Sequence, residues 1–182
     1  MPLYESQDDR ELEFEISRFL EAKLKARAFP SGDLAEFDLG LFRIDPEKLE
    51  VRLFAVAEIK SRTEFARYDT YKIARYKFLG LLSFLARGLK AYIVVHEKVS
   101  GDVWVAQVRK GIEIGVDRHW GRDDRPDDPT SKGETSVIDK KAFRLMGNLD
   151  EFKRLNVSAD KGGVGTDQHH NYHTKRQDRS KA

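Results

Sequence analysis

The chain has 182 residues, enough for one domain with a full core and short for two. Its 33 Lys and Arg stand against 31 Asp and Glu, a formal charge of +2, so no global basic field marks a polyanionic partner and any such partner is held locally. The absence of Cys excludes a disulfide scaffold, a thiol nucleophile and thiolate metal sites, while an acidic start and the lack of any run of about 20 apolar residues predict a cytoplasmic chain without a membrane segment.

From Gln7 to Ala28 the residues Leu12, Ile16, Phe19, Leu20 and Leu24 recur at three- and four-residue steps, which predicts a helix with one apolar face, stopped by Pro30, Ser31 and Gly32. Ala35, Phe37, Leu39 and Leu41 then alternate with Glu36, Asp38 and Gly40, the two-residue period of a strand. Asp45 and Pro46 turn the chain into a second strand, Val51 to Lys60, almost wholly apolar until it ends on Glu58-Ile59-Lys60. Such a run suits a central strand covered on both faces, paired with its predecessor as a hairpin. A second helix is expected from Ile73 to Arg87, with Phe78, Leu81, Leu82 and Leu85 buried and Gly88 as its stop. Two short strands, 91–95 and 103–108, follow around a turn at 100–102.

Residues 115–136 are rich in charge, Gly and Pro and show no period, so a long loop is expected. A short strand at Val137 and Ile138 and helical turns from Lys140 to Leu155 come next. From Ser158 onward no apolar face is available to pack, which predicts a disordered, weakly basic tail carrying His169, His170 and His173. The organisation is therefore one domain over 1–157, with its core in 7–108, followed by a tail over 158–182.

An acidic residue followed two positions later by Lys occurs at Glu21, Glu58, Asp139 and Glu151, but only Glu58 and Lys60 end an apolar strand. The strand period aims both at one face, with Ile59 opposite. Asp38 lies a hairpin away, amid apolar residues where an unpaired carboxylate is costly. Two carboxylates can hold a hard divalent cation such as Mg2+, and an adjacent ammonium can orient or help deprotonate water and offset charge on a phosphoryl transition state. The plainer alternatives are a strand-end ion pair for Glu58 and Lys60 and, for Asp38, a carboxylate that satisfies backbone N–H groups or pairs with Arg52. Around the second helix start, Tyr71, Lys72 and Arg75, with Arg67, Tyr68 and Tyr76, form a basic and aromatic cluster suited to phosphates and bases.

The segments FDLGLF and VAEIKSR, followed by a helix carrying Lys77, resemble the PD-(D/E)xK, restriction-endonuclease-like nuclease superfamily. The resemblance spans about residues 7–108 and departs from the signature in having Phe37 where Pro precedes the first aspartate. It implies an α/β fold, a mixed central sheet flanked by helices in the order α-β-β-α-β-β. It further implies Asp38, Glu58 and the Ile59 carbonyl as metal ligands and Lys60 as the catalytic lysine. Glu15 on the first helix, with Glu11 second, and Lys77 on the second helix would assist. The expected activity is Mg2+-dependent phosphodiester hydrolysis, with Mn2+ able to substitute, on nucleic acid and on DNA in particular, in a chain that could act as a homodimer. The rival expectation is an inactive domain of the same fold that binds nucleic acid or assembles a complex.

Overall fold

A computed structural model describes residues 7–31, 37–120 and 132–161. In chain order the elements are α1 (Gln7–Leu24), β1 (Arg27–Pro30), β2 (Leu39–Asp45), β3 (Glu50–Arg62), β4 (Thr70–Ala74), α2 (Arg75–Ala86), β5 (Lys90–Glu97), β6 (Asp102–Gln107), β7 (Glu113–Trp120), β8 (Lys132–Asp139), β9 (Arg144–Asn148) and α3 (Leu149–Lys161). Among the described residues no helix is long and apolar enough to cross a membrane.

Six strands form the main sheet in the order β1-β2-β3-β5-β6-β9, with β4-β8-β7 as a second sheet. The hairpin expected of β2 and β3 is antiparallel, with Leu39 opposite Ala57. The β3–β5 pairing is parallel, with Glu58 opposite Ile93 and Lys60 opposite Val95. Parallel neighbours need a crossover, and α2 provides it. The apolar middle of β3 is thus explained: Ala55, Val56, Ala57 and Ile59 are buried because helices or sheet cover both faces.

One face packs on α1 and α3, joining Ile16, Phe19 and Leu20 with Leu39, Leu41, Ala57, Ile59, Val94 and Leu149. The other packs on α2 and the small sheet, joining Phe78, Leu81 and Phe84 with Val56, Ile93, Val95, Tyr71, Ile73 and Ile138. Helix α2 ends as its sequence predicts. Gly88 takes φ +78, where a side chain would be strained, and the amides of Gly88 and Leu89 donate to the carbonyls of Leu85 and Phe84.

Several expectations change. Helix α1 ends at Leu24 and the chain returns as β1, a four-residue strand that pairs β2. Thr70–Ala74 is strand β4, so Ile73 and Ala74, expected to open the second helix, are strand residues and α2 begins at Arg75. The expected loop 115–136 holds the strands β7 and β8, paired from Glu113–Ile138 to Trp120–Lys132, so His119 and Trp120 are strand residues; 121–131 lie outside the described residues. The turns expected over 140–155 resolve into a 3-10 turn, β9 and α3. Helix α3 continues to Lys161, into the expected tail, while 162–182, including the three histidines, lie outside the described residues.

Leu81 is fully buried between α2 and the sheet, whereas Leu79 on the same helix is 49% exposed. Leu81→Ala should therefore cost about 2–5 kcal/mol through lost transfer and cavity formation. Leu79→Ala should cost about 0.5 kcal/mol or less, as a surface change. Urea unfolding of both variants checks the contrast; equal losses would overturn this account of the α2 face.

Candidate active site

Strand β3 carries Glu58 and Lys60 on the same side as Val56, facing α2, and sends Ile59 into the core under α1. Glu58 is completely buried. Asp38 directly precedes β2, where its amide donates to the Ala57 carbonyl at 3.1 Å. Its side chain then takes over the ladder: Oδ2 accepts the Ile59 amide at 2.7 Å. The approach to Asp38 is held by β1's end, where the Ser31 amide donates to the Asp38 carbonyl at 2.9 Å and the Ser31 hydroxyl to the Phe37 carbonyl. Asp38 is therefore the last residue of a strand pair that opens beyond it.

The first turn of α2 brings Lys77 to this fork, its Nζ 3.2 Å from Glu58 Oε2 and 3.7 Å from Asp38 Oδ1. Lys60 Nζ stands 2.8 Å from Glu58 Oε1 and 3.6 Å from Asp38 Oδ2. The four groups close an alternating ring of two carboxylates and two ammoniums. Lys77 makes an aligned hydrogen bond to Glu58, but Oε1 of Glu58 is buried without an aligned donor despite the nearness of Lys60. The side chains of Asp38 and Lys77 are mostly covered, and that of Lys60 is 37% exposed, so the ring reaches solvent on the Lys60 side.

Burial raises the Glu58 carboxyl above the ordinary glutamate range; Lys60 pulls it down, Asp38 pushes it up and Lys77 pulls it down, and burial wins. Burial pulls the Lys60 ammonium down, but the Glu58 and Asp38 carboxylates outweigh it and hold this amine protonated well above the usual lysine range. Flanked by both carboxylates, Lys60 is held as a cation and hydrogen-bond donor. Burial likewise pushes the Tyr71 phenol up to about 12, with Arg62 and Lys60 opposing it.

The remaining candidates are placed elsewhere. Glu15 does not join the ring: α1 covers the opposite face of the sheet, and its carboxylate pairs with Lys153 of α3 at 2.5 Å. Among the described residues no three His, Cys, Asp or Glu side chains gather in metal-binding distance. Tyr71 is 3% exposed, edge-on to Phe65 and Phe143, so its ring is core and does not offer a stacking face. Lys72 pairs with Asp117 at 2.5 Å, and Arg75 bridges Glu113 at 3.1 Å and Glu134 at 3.2 Å, tying β4 and α2 to the β7–β8 hairpin. Asp38 faces Lys60 and Lys77, while Arg52 lies opposite Arg43. A groove of about 750 Å³, lined by Glu15, Arg18, Arg27, Phe42 and Lys153 among others, lies on the α1–α3 side, away from the ring. An unexpected element that bears directly on the site is β1, whose Ser31 end holds Asp38; four residues including a Pro carry no readable period.

The raised Glu58 carboxyl has a defined sign. Between its unfolded and folded titration ranges the folded chain binds more protons, so this group's contribution to stability is greatest at low pH and falls as pH rises through that window. In chelator, Glu58→Gln, which mimics the protonated acid, should melt higher than the parent at neutral pH, and the gap should close as pH falls into the ordinary carboxylate range. Thermal melts from acid to neutral pH check this; a variant that melts lower throughout would show that the ion pairs outweigh burial.

A search of curated proteins returns no match. The family described as "Phage putative PDDEXK endonuclease" matches residues 1–145, which include β1 to β8, α1, α2 and all four members of the charged ring. With that match covering most of its length, the chain belongs to this PDDEXK endonuclease family.

Proposed function

We propose that the chain is a divalent-metal-dependent endonuclease acting on DNA, with its centre at Asp38, Glu58, Lys60 and Lys77. The observation that carries this reading is the convergence of two carboxylates, one fully buried, with two ammoniums at a fork between strands. Burying an ion pair network is expensive and rarely repaid in stability alone, so its position asks for a functional reason.

The donor set fits a hard cation. Asp38 and Glu58 offer carboxylate oxygens, and Ile59, whose amide points at Asp38, sends its carbonyl from the same strand edge. Mg2+, with Mn2+ as a substitute, would supply Lewis-acid polarisation of a phosphate oxygen and a more acidic water. The chain's own groups do the rest. Ile59's amide fixes the Asp38 carboxylate, and α2 fixes Lys77 against Glu58. Lys60, protonated and partly exposed, donates to a non-bridging phosphate oxygen and offsets charge as the phosphorane develops. Glu15, paired with Lys153 across the sheet, has no part in this centre.

One observation favours the rival, an inactive domain that binds nucleic acid: Lys60 and Lys77 already compensate both carboxylates, making a self-contained neutral network. Cleavage assays on plasmid, linear and branched DNA with Mg2+ or Mn2+ separate the two. An enzyme should lose about 100- to 1000-fold in rate on Glu58→Ala, Asp38→Ala or Lys60→Ala while still binding DNA. Failure to cut any of these substrates with either metal would sink the proposal in favour of the binder.

A further inference from the structure

The β2–β3 hairpin outruns the sheet that holds it. Strand β5 begins at Lys90, opposite Ala55, so Glu50–Phe54 has no strand on its outer edge among the described residues. On the other side β1 stops pairing at Phe42, leaving Arg43–Asp45 open. Beyond the bulge between Leu41 and Phe42, the projecting ladder sorts its side chains by face. One face carries Phe42 and Ile44 opposite Leu53 and Val51; the other carries Arg43 and Asp45 opposite Arg52 and Glu50. Exposure at the tip is high for apolar residues: Val51 is 64% exposed, Ile44 53% and Leu49 89%.

A bare, partly apolar strand edge is a template for another strand. The charges say which strand fits. Within the hairpin, Arg43 faces Arg52 and Asp45 faces Glu50, and like charges directly opposite are unfavourable. On the β2 side these charges are engaged, Asp45 with Lys48 at 3.9 Å and Arg43 over the Phe54 ring at 4.6 Å. Glu50 and Arg52 have no ion-pair partner among the described residues. Antiparallel pairing of β3 with a second β3 about Val51 sets Glu50 of each copy opposite Arg52 of the other. It also sets Val51 against Val51, continuing the apolar face of the hairpin across the junction. This is an isologous two-fold interface. Nucleic acid is a poorer occupant, because residues 43–52 balance Arg43, Lys48 and Arg52 against Asp45, Glu47 and Glu50 and carry no net positive charge.

We infer that the outer edge of β3 at Glu50–Leu53 is a self-association surface, through which two copies of this chain join edge to edge with Glu50–Arg52 pairs. The surface lies at the opposite end of β3 from Glu58 and Lys60, and the inference stands apart from the nuclease reading.

Sedimentation equilibrium of the full chain without DNA or metal tests it across the micromolar range, with circular dichroism to confirm that each variant is folded. The expected result is a monomer–dimer equilibrium. Glu50→Arg and Arg52→Glu should each weaken it by about tenfold or more, since both symmetry-related pairs become like-charged. The double variant E50R/R52E restores opposite charges across the interface and should return to within about threefold of the parent. A chain that stays monomeric at every concentration overturns the inference. So does a dimer indifferent to the single substitutions, or a double variant as weak as either single one.

Discussion

Everything near the site depends on keeping one carboxylate, that of Glu58, entirely out of water in the middle of a mixed sheet. An isolated charge there would be prohibitive, and the chain compensates it from two directions. Lys60 comes from the same strand two residues on, so its placement is guaranteed by pleat alone. Lys77 comes from α2, and its placement demands tertiary structure. Helix α2 starts directly after β4 with no side-chain cap, so its entry angle is set by the strand before it. That strand is locked by Tyr71 and Ile73 in the core and by Lys72 and Arg75 pairing with β7 and β8. The small sheet therefore serves the site by aiming one lysine.

Asp38 reaches the ring by a different device. It sits where β2 and β3 separate, and its carboxylate bonds the Ile59 amide that a longer β2 would have paired through its backbone. A side chain doing a backbone's work is both anchored and left with oxygens facing the gap. Ser31, at the end of β1, holds the same corner from the outside. A short edge strand with few core contacts thus matters for position more than for burial.

The legible part of this arrangement was the part written in local periodicity. An apolar strand ending on Glu58-Ile59-Lys60 declares a buried strand and a shared face for the two charged groups, and the Leu81 face and Gly88 stop declare α2. The distant ion pairs left no such mark. Arg75 meets Glu113 and Glu134, and Lys72 meets Asp117, across separations that no window of the sequence spans. The β7–β8 arm carries no strand signal for a related reason: residues 114–118 are all exposed, so no buried face selects apolar residues there. Tyr71 misled in the other direction, because basic neighbours suggested a surface and only the fold shows it wedged between Phe65 and Phe143. Glu15 failed on handedness of packing: the α1 face that buries Ile16 and Phe19 covers the side of the sheet away from Glu58, a choice that helix periodicity cannot make.

The balance of charge in the ring bears on how the proposed activity would be controlled. With both carboxylates ionised and both lysines protonated, the four groups sum to zero, and the lysines occupy the electrostatic role that a divalent ion would fill. Adding such an ion leaves an excess of positive charge in a partly buried fork, which the low-dielectric surroundings penalise. A phosphodiester backbone carries the compensating negative charge, and Lys60, the most exposed member, is the group able to swing from carboxylate to phosphate. On the proposed reading, cation and nucleic acid therefore bind better together than apart, by thermodynamic linkage through the same two ammoniums. On that reading the mutual pairing would act as a brake, the carboxylates turning to a cation as the lysines turn to phosphate.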